Sequence, residues 1–281
     1  MTTTLRPSGP LQRDDRGARS RTYDVCVNSR RVGSIELGTH PSLGPAAGVL
    51  RSLAIDAGDR HRGRATVAAL AAEEVLRDWG CTRISASIPA AATGALRLAT
   101  ALGYVEQDRS MLKELTAEPL PGLPGGAEWR PMDEPEFRDW SAAETEHYAQ
   151  TMVGLGVPPE QARARSVADQ RELLPDGLAT PRTWFRVLEA EGCVVGHVWV
   201  GEREVRPGER GAYVYDIRVA EPHRGRGHGR TLMLLAERIA RTEAGAGLLG
   251  LRVLAGNTPA LRLYESLGYR ATRINVGKRL F

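Results

Sequence analysis

The stretch Val219-Ala-Glu-Pro-His-Arg-Gly-Arg-Gly-His-Gly229 decides the fold, because a worn version of it stands earlier in the chain as Asp59-Arg-His-Arg-Gly-Arg-Ala65. The elements after each stretch repeat as well. The later one leads into an apolar-periodic helix, strand residues Leu251-Arg-Val253 and then Leu261-Arg-Leu-Tyr-Glu-Ser-Leu-Gly-Tyr269. The earlier one leads into a helix, Ile84-Ser-Ala-Ser-Ile88 and then Leu96-Arg-Leu-Ala-Thr-Ala-Leu-Gly-Tyr104. Repetition of a whole series of elements means one fold used twice.

Outward from the later stretch, the pattern predicts helices over 133–147 and 159–174, the second opened by Pro-Pro. A hairpin over 183–189 and 194–201 turns at Glu191-Gly192, and 212–219 is a third strand. A helix over 230–242 carries Leu232, Leu235, Ala236 and Ile239 on one stripe. Strand 248–254, helix 259–267 closed by Gly268, and strand 269–279 complete the copy. Helices alternate with strands only after the central strand, so the expected fold class is α/β (α+β): two tandem copies, each a mixed, mostly antiparallel sheet flanked by helices. In the earlier copy the first hairpin starts near Tyr23 and leaves too little chain for the two leading helices.

The Pro/Gly-rich run Glu118-Pro-Leu-Pro-Gly-Leu-Pro-Gly-Gly126 can continue neither a helix nor a central strand, so it marks the boundary. The expected division is a disordered tail over 1–20, a degenerate domain over 21–117, a linker over 118–126 and a catalytic domain over 127–281.

The chain has 281 residues, 42% apolar and 26% charged, with no run long enough to cross a membrane as a helix and no apolar leader. A cytoplasmic protein is expected. Cys26, Cys81 and Cys193 stand far apart, without the spacing of a disulfide framework or a zinc site. His147, His197, His223 and His228 have no mutual metal spacing either, so no metal is expected. The formal charge of +4 sits outside the catalytic half: residues 118–281 carry twenty-two basic and twenty-two acidic groups. All cations but Lys113 and Lys278 are arginines, a composition bias rather than a phosphate-binding patch. A role on nucleic acid or at a membrane is not expected.

In Arg224-Gly-Arg-Gly-His-Gly229 the glycines let the chain turn tightly at the start of a helix and leave its N–H groups unshielded. Unpaired N–H groups and the positive end of the helix dipole favour a phosphate there. At these residues the sequence resembles the GNAT acyltransferase superfamily, whose Arg/Gln-x-x-Gly-x-Gly/Ala motif matches Arg224-x-x-Gly227-x-Gly229. The resemblance continues through Asn257-Thr-Pro-Ala260 and Leu263-Tyr-Glu-Ser-Leu-Gly-Tyr269 and covers roughly residues 127–281. It implies that Arg224, Gly225, Arg226, Gly227, His228, Gly229 and Arg230 hold the pyrophosphate of acetyl-CoA. It also implies that the backbone at Ile217 and Val219 pairs with the pantetheine arm, helped by Asn257, which has a second reading as a helix N-cap.

Acetyl transfer needs a base for the acceptor ammonium, a donor for the oxyanion and a proton for the leaving thiolate. The resemblance gives the last role to Tyr264. Asp216, an acid in the apolar strand Tyr213–Val219, is the candidate base, with burial expected to raise its pKa. Its bland alternative is a salt bridge with Arg218, Arg252 or Arg186. Some relatives carry a basic Glu in a Leu-Glu-Val segment where this chain has Leu251-Arg252-Val253, which speaks against a ribosomal-protein substrate. Acceptor contacts are expected from the first two helices and their connection, Tyr148 to Pro159, and from the final strands, with Glu144, Glu146, Tyr148, Trp184 and Trp199 as pocket groups or simply as solvated or core residues.

Pairing His61-Arg-Gly63 with His223-Arg-Gly225 sets Ala54 against Asp216, Ala65 against Gly227 and Val67 against Gly229. Pairing Leu102-Gly-Tyr104 with Leu267-Gly-Tyr269 sets Ala99 against Tyr264 and Ala92 against Asn257. On that reading the first half has lost base, acid and nest, and the chain resembles tandem GNAT proteins of the mycothiol synthase type. The expected function is acetyl-CoA-dependent N-acetylation of a primary amine on a small molecule or short peptide, with the first half as scaffold and a homodimer left open. The alternatives are a non-catalytic acyl-CoA sensor, or a donor that is a carrier protein or aminoacyl-tRNA.

Overall fold

The computed structural model describes residues 3–15, 17–40, 43–116, 127–154 and 156–280. The expected linker 118–126 lies outside them. In chain order the strands and helices are β1 (Thr3–Pro7), β2 (Gln12–Arg13), β3 (Arg19–Val27), β4 (Arg30–His40), β5 (Gly44–Ile55), α1 (Arg64–Asp78), β6 (Arg83–Pro89), α2 (Thr93–Ala101) and β7 (Val105–Glu114). They continue with β8 (Ala127–Pro131), α3 (Glu134–Gly154), α4 (Pro159–Leu173), β9 (Thr183–Ala190), β10 (Cys193–Arg206), β11 (Glu209–Val219), α5 (His228–Thr242), β12 (Leu248–Leu254), α6 (Thr258–Ser266) and β13 (Arg270–Arg279). No helix among the described residues is long and apolar enough to cross a membrane.

The chain forms two compact units that do not coincide with the two halves of the sequence. One gathers Met1–Asp108, Leu155–Val157 and Arg273–Phe281, the other Arg109–Gly154 and Pro158–Thr272. Strand order in the first is β1-β3-β4-β5-β6-β13, and in the second β8-β9-β10-β11-β12-β7. Both sheets are mixed: β5–β6 and β11–β12 are parallel, while the other pairings with a stated direction are antiparallel. Each sheet therefore takes its final strand from the other half of the sequence. Arg273–Arg279 pair with Pro89–Arg83, and the Leu115 N–H, just past β7, donates to the Gly247 carbonyl at 2.8 Å.

A lysine anchors each of the exchanged strands. Lys113 Nζ lies 2.7 Å from the buried carboxylate of Glu237 and 5.7 Å from the Tyr269 ring centroid. Lys278 Nζ lies 2.8 Å from buried Glu73 and 5.6 Å from the Tyr104 centroid. Glu73 and Glu237 are the tenth residues of α1 and α5, so the two clusters are copies. Leaving either carboxylate unpaired at that depth costs far more than an exposed pair gains.

Residues 1–20, expected as a disordered tail, instead contain β1 and β2. Thr3–Pro7 run antiparallel to Val27–Tyr23, and Leu5 packs on the cluster that holds Tyr23, Val25 and Val27. The physical reason is that β3 would otherwise expose a bare, largely apolar sheet edge. No α-helix precedes α1 among the described residues, so the first unit lacks counterparts of α3 and α4 there. In the second unit, α5 turns Leu232, Leu235, Ala236 and Ile239 onto the sheet as the apolar stripe predicts, all fully buried.

Candidate active site

The glycine-rich turn follows β11. After a short 3-10 turn at Glu221–His223, Arg224 is extended and its Nε donates to the Val219 carbonyl at 3.3 Å. Gly225 (φ 77°) and Gly227 (φ 87°) are left-handed, the conformation that Cβ disfavours. The Gly227 carbonyl accepts from the N–H groups of Arg230 (2.9 Å) and Thr231 (3.2 Å), which starts α5 at His228. A Cβ on Gly229 would lie 3.3 Å from Leu263, so α6 closes on α5 there. Arg230 ties the same two helices through Ser266 Oγ at 2.6 Å. The N–H groups of His228 and Gly229 precede those of Arg230 and Thr231 and are the ones a helix start offers to an anion.

Beside this turn the sheet splits. β11 pairs with β12 only from Ala212↔Leu249 to Val214↔Leu251, while on its other flank it stays with β10 to Gly196↔Val219. The register shift between Trp199 and Val200 leaves Tyr215 as an extra residue, a bulge that turns the rest of β11 away. Ile217 and Val219 thus lie beyond the β12 ladder, with one backbone edge open to an extended, amide-bearing arm.

Charged groups converge on Asp216. Its Oδ2 accepts from Trp140 Nε1 (2.9 Å) and contacts His197 Nε2 (2.8 Å). Trp140 comes from α3 and is wedged edge-on against Phe185 and Trp199. Burial pushes the Asp216 pKa up, but His197, Trp140 and Arg218 together outweigh it, and the net direction is down. That corrects the expected rise: the His197 and Trp140 partners come from β10 and α3 and are invisible in the β11 sequence. The alternative salt bridge with Arg186 is not made, since Arg186 Nη2 pairs with Glu243 at 2.5 Å.

Glu144 stands one turn beyond Trp140 on α3, with Arg218 Nη2 at 3.3 Å from Oε2. Burial and the negative charge of Asp216 raise its pKa to about 7, against the weaker pull of Arg218 and His197. Tyr264 is buried, and burial with the Asp216 charge lifts its hydroxyl to about 12, so it stays protonated. Sequence reasoning missed His197 and Trp140; the only signal was a polar ring inside an apolar strand.

Several other candidates have partners within the fold. Trp199 is buried and stacked between Phe185 and Tyr215. Trp184 packs on the main core, and Glu146 pairs with Arg163 at 3.3 Å. Asn257 caps α6, its Oδ1 accepting from the Ala260 N–H at 3.2 Å. Among the described residues, no three His, Cys, Asp or Glu are grouped to hold a metal ion.

The first-half turn folds in the same way. Extended Arg60 comes after a 3-10 turn, and its Nε donates to the Ile55 carbonyl at 2.8 Å, as Arg224 does to Val219. His61 (φ 58°) and Gly63 (φ 71°) are left-handed, and α1 starts at Arg64. Gly63 therefore stands against Gly227, Ala65 against Gly229 and Ser52 against Asp216. The His-Arg-Gly pairing of the two stretches, which set Ala65 against Gly227, Val67 against Gly229 and Ala54 against Asp216, is out by two residues. The reason is that a left-handed position tolerates histidine as well as glycine, so glycine spacing does not mark the register. Ala92 and Ala99 do occupy the places in α2 that Asn257 and Tyr264 occupy in α6.

The family model described as "Acetyltransferase (GNAT) family" matches the chain twice, over 4–104 and 136–269. A mycothiol acetyltransferase of Thermomonospora curvata is 30% identical over 256 residues, covering 88% of this chain and 81% of the relative. The uncharacterized N-acetyltransferase YycN of Bacillus subtilis is 35% identical over 153 residues, covering 53% of this chain and 96% of the relative. Among solved structures, a GCN5-related N-acetyltransferase from Sphaerobacter thermophilus has the same fold, with a TM-score of 0.57 at 19% identity over 92% of this chain and 80% of that one.

Proposed function

This chain belongs to the acetyltransferase (GNAT) family as a tandem member, and we propose that its second unit transfers acetyl from acetyl-CoA to a primary amine of a small molecule or short peptide. The residues fit that co-substrate: a left-handed Gly227 opens a helix start toward an anion, and the open edge of β11 at Ile217 and Val219 suits the pantetheine amides. Acetyl-CoA supplies an acetyl group activated as a thioester.

The chain's own residues supply the proton traffic. The amine nitrogen must be neutral to form its bond to the acyl carbon, and Glu144, with a pKa of about 7, takes the ammonium proton. Asp216 holds the negative charge that keeps Glu144 basic, and His197 and Trp140 hold Asp216. As the carbon–sulfur bond breaks, the Tyr264 hydroxyl gives the sulfur its proton, the new amide nitrogen sheds its remaining surplus proton to solvent, and Tyr264 recovers one from the same source. A β11 N–H near Ile217 polarises the thioester oxygen. What supports the reading most is that burial, with the ionised Asp216 adding to it, raises both the Glu144 carboxyl and the Tyr264 hydroxyl. The proposed compartment is the cytoplasm, in keeping with three unpaired cysteines.

The test is thiol release from acetyl-CoA across a panel of primary amines. Tyr264→Phe is expected to lower kcat by roughly 100-fold with little change in the KM for acetyl-CoA. Unchanged turnover removes its role as acid, and release with no amine at all returns the second unit to a non-catalytic acyl-CoA binder.

A further inference from the structure

The face of the second unit's sheet that α3 covers carries two arginines from neighbouring strands. Leu251 and Val253 belong to the core beneath α5, so Arg252, between them on β12, projects from the opposite face. Arg218 projects from that same face of β11, since its guanidinium reaches Glu144 on α3. Both stay within reach of a ligand: the Arg218 side chain is 42% exposed, and Arg252 is exposed. Tyr148 stands one turn along α3 from Glu144. Burial raises its pKa and Asp169 adds to the rise, while Arg165 and Arg252 pull against it, so Arg252 stands near the helix that carries Glu144.

The acids of this face are committed unequally. Asp169 pairs with Arg165 at 2.8 Å, and Asp216 is held by His197 and Trp140. Glu144 is the weak partner: it lies 3.3 Å from Arg218, and burial, followed by the Asp216 charge, raises its pKa to about 7, so near neutrality it is only partly ionised. A guanidinium stays charged throughout that range. An acceptor ammonium resting on Glu144 therefore meets the Arg218 charge a few ångströms away, and like charges that close in a half-buried site oppose binding. A substrate that carries its own anion beside the ammonium removes the repulsion, and a planar carboxylate fits the guanidinium fork.

The geometry points to a zwitterionic acceptor: an α-amino acid whose carboxylate sits on Arg218, with Arg252 as the second cation, while its ammonium meets Glu144. Because Arg218 and Glu144 touch, the two charges of the substrate must be close together, and a single carbon between amine and carboxylate gives that spacing. A polyamine, or any acceptor that brings several positive charges, is disfavoured on the same ground. The assignment rests on the acetyl-transfer reading of the second unit and narrows its small-molecule amine to this class.

Thiol release by the full chain is measured with acetyl-CoA and three matched sets: the standard amino acids, their carboxamides and their decarboxylated amines. For the amino acid that reacts fastest, kcat/KM is expected to exceed that of its carboxamide and its amine by at least roughly tenfold. The carboxamide has the less basic nitrogen and offers more free amine at neutral pH, so a preference for the acid reports recognition of the carboxylate. Arg218→Gln should reduce the acid-to-carboxamide ratio to within roughly threefold, chiefly through KM, while Arg218→Lys keeps part of it. Arg252→Gln should lower the ratio as well. A change in the base alone would scale both substrates together and leave the ratio where it was. Equal or better turnover of the carboxamides or amines, or an acid preference that survives both glutamine variants, overturns the proposal. If no member of any set is acetylated, equilibrium titration of the same sets into the CoA-saturated chain decides. Tighter binding of the acids that is lost in Arg218→Gln leaves the amino-acid site standing and removes the catalytic reading alone, and binding without that preference removes both.

Discussion

The turn at Arg60–Ala65 and the turn at Arg224–Gly229 share one backbone and carry different side chains. Both begin with an arginine pinned to the last carbonyl of the preceding strand, and both enter a helix through a left-handed glycine. The difference lies around them: Asp216 with its His197 and Trp140 partners against Ser52, and Tyr264 against Ala99. A loop conformation set by local hydrogen bonds does not depend on the groups that differ, because Asp216 and Tyr264 sit on other elements.

The comparison breaks most severely if the halves are separated. Residues 127–281 alone would lack the β7 residues that complete the second sheet and would leave Glu237, 3% exposed, without Lys113. Removing one partner of such a pair costs about 3–5 kcal/mol before the lost strand is counted. The isolated segment is expected to show no cooperative unfolding transition by circular dichroism; a soluble, fully active monomer would overthrow both the strand exchange and the scaffold role proposed for the first half.

Next in size is Gly227→Val. A branched side chain at φ 87° should remove acetyl-CoA binding by the second unit, seen as more than a roughly 100-fold rise in its dissociation constant. Gly63→Val, the matching change in the first unit, should leave acetyl transfer intact. Equal effects of the two on turnover would show that the units do not differ as described.

A smaller effect sharpens the assignment of the base. The deprotonated form of Glu144 is the active one, so kcat/KM should rise with pH through about 7. Asp216→Asn removes the negative charge that disfavours Glu144 ionisation, so the rising limb should move to lower pH by roughly one unit, with activity retained at high pH. Abolished turnover at every pH would make Asp216 itself the base. The smallest expected change is Asn257→Ala, which removes the α6 cap at a cost of about 1 kcal/mol by thermal unfolding. Ala92 caps α2 without any side-chain bond, so Ala92→Asn should gain a fraction of that.

Much of the architecture was legible because periodicity and turn chemistry are local. The α5 stripe, the hairpin at Glu191-Gly192 and the nest at Gly225–Gly229 each arise from a few adjacent residues. The β1 edge strand was not, since Thr3–Pro7 gain their stability from β3 and carry no pattern of their own. The Asp216 environment was hidden for a related reason: its pKa is set by His197 and Trp140, nineteen and seventy-six residues away.

By itself the sequence determined that one fold is present twice, that the second copy carries a glycine-rich turn and a tyrosine on a later helix, and that the first has alanine in place of the tyrosine. Only the tertiary structure decided the register of the two turns, the direction of the Asp216 shift and which sheet receives which final strand. The last point shows why. β7 and β13 are copies with the same alternation and the same lysine, and each lysine would meet an equivalent buried glutamate in either sheet, so no local feature of the sequence makes the choice.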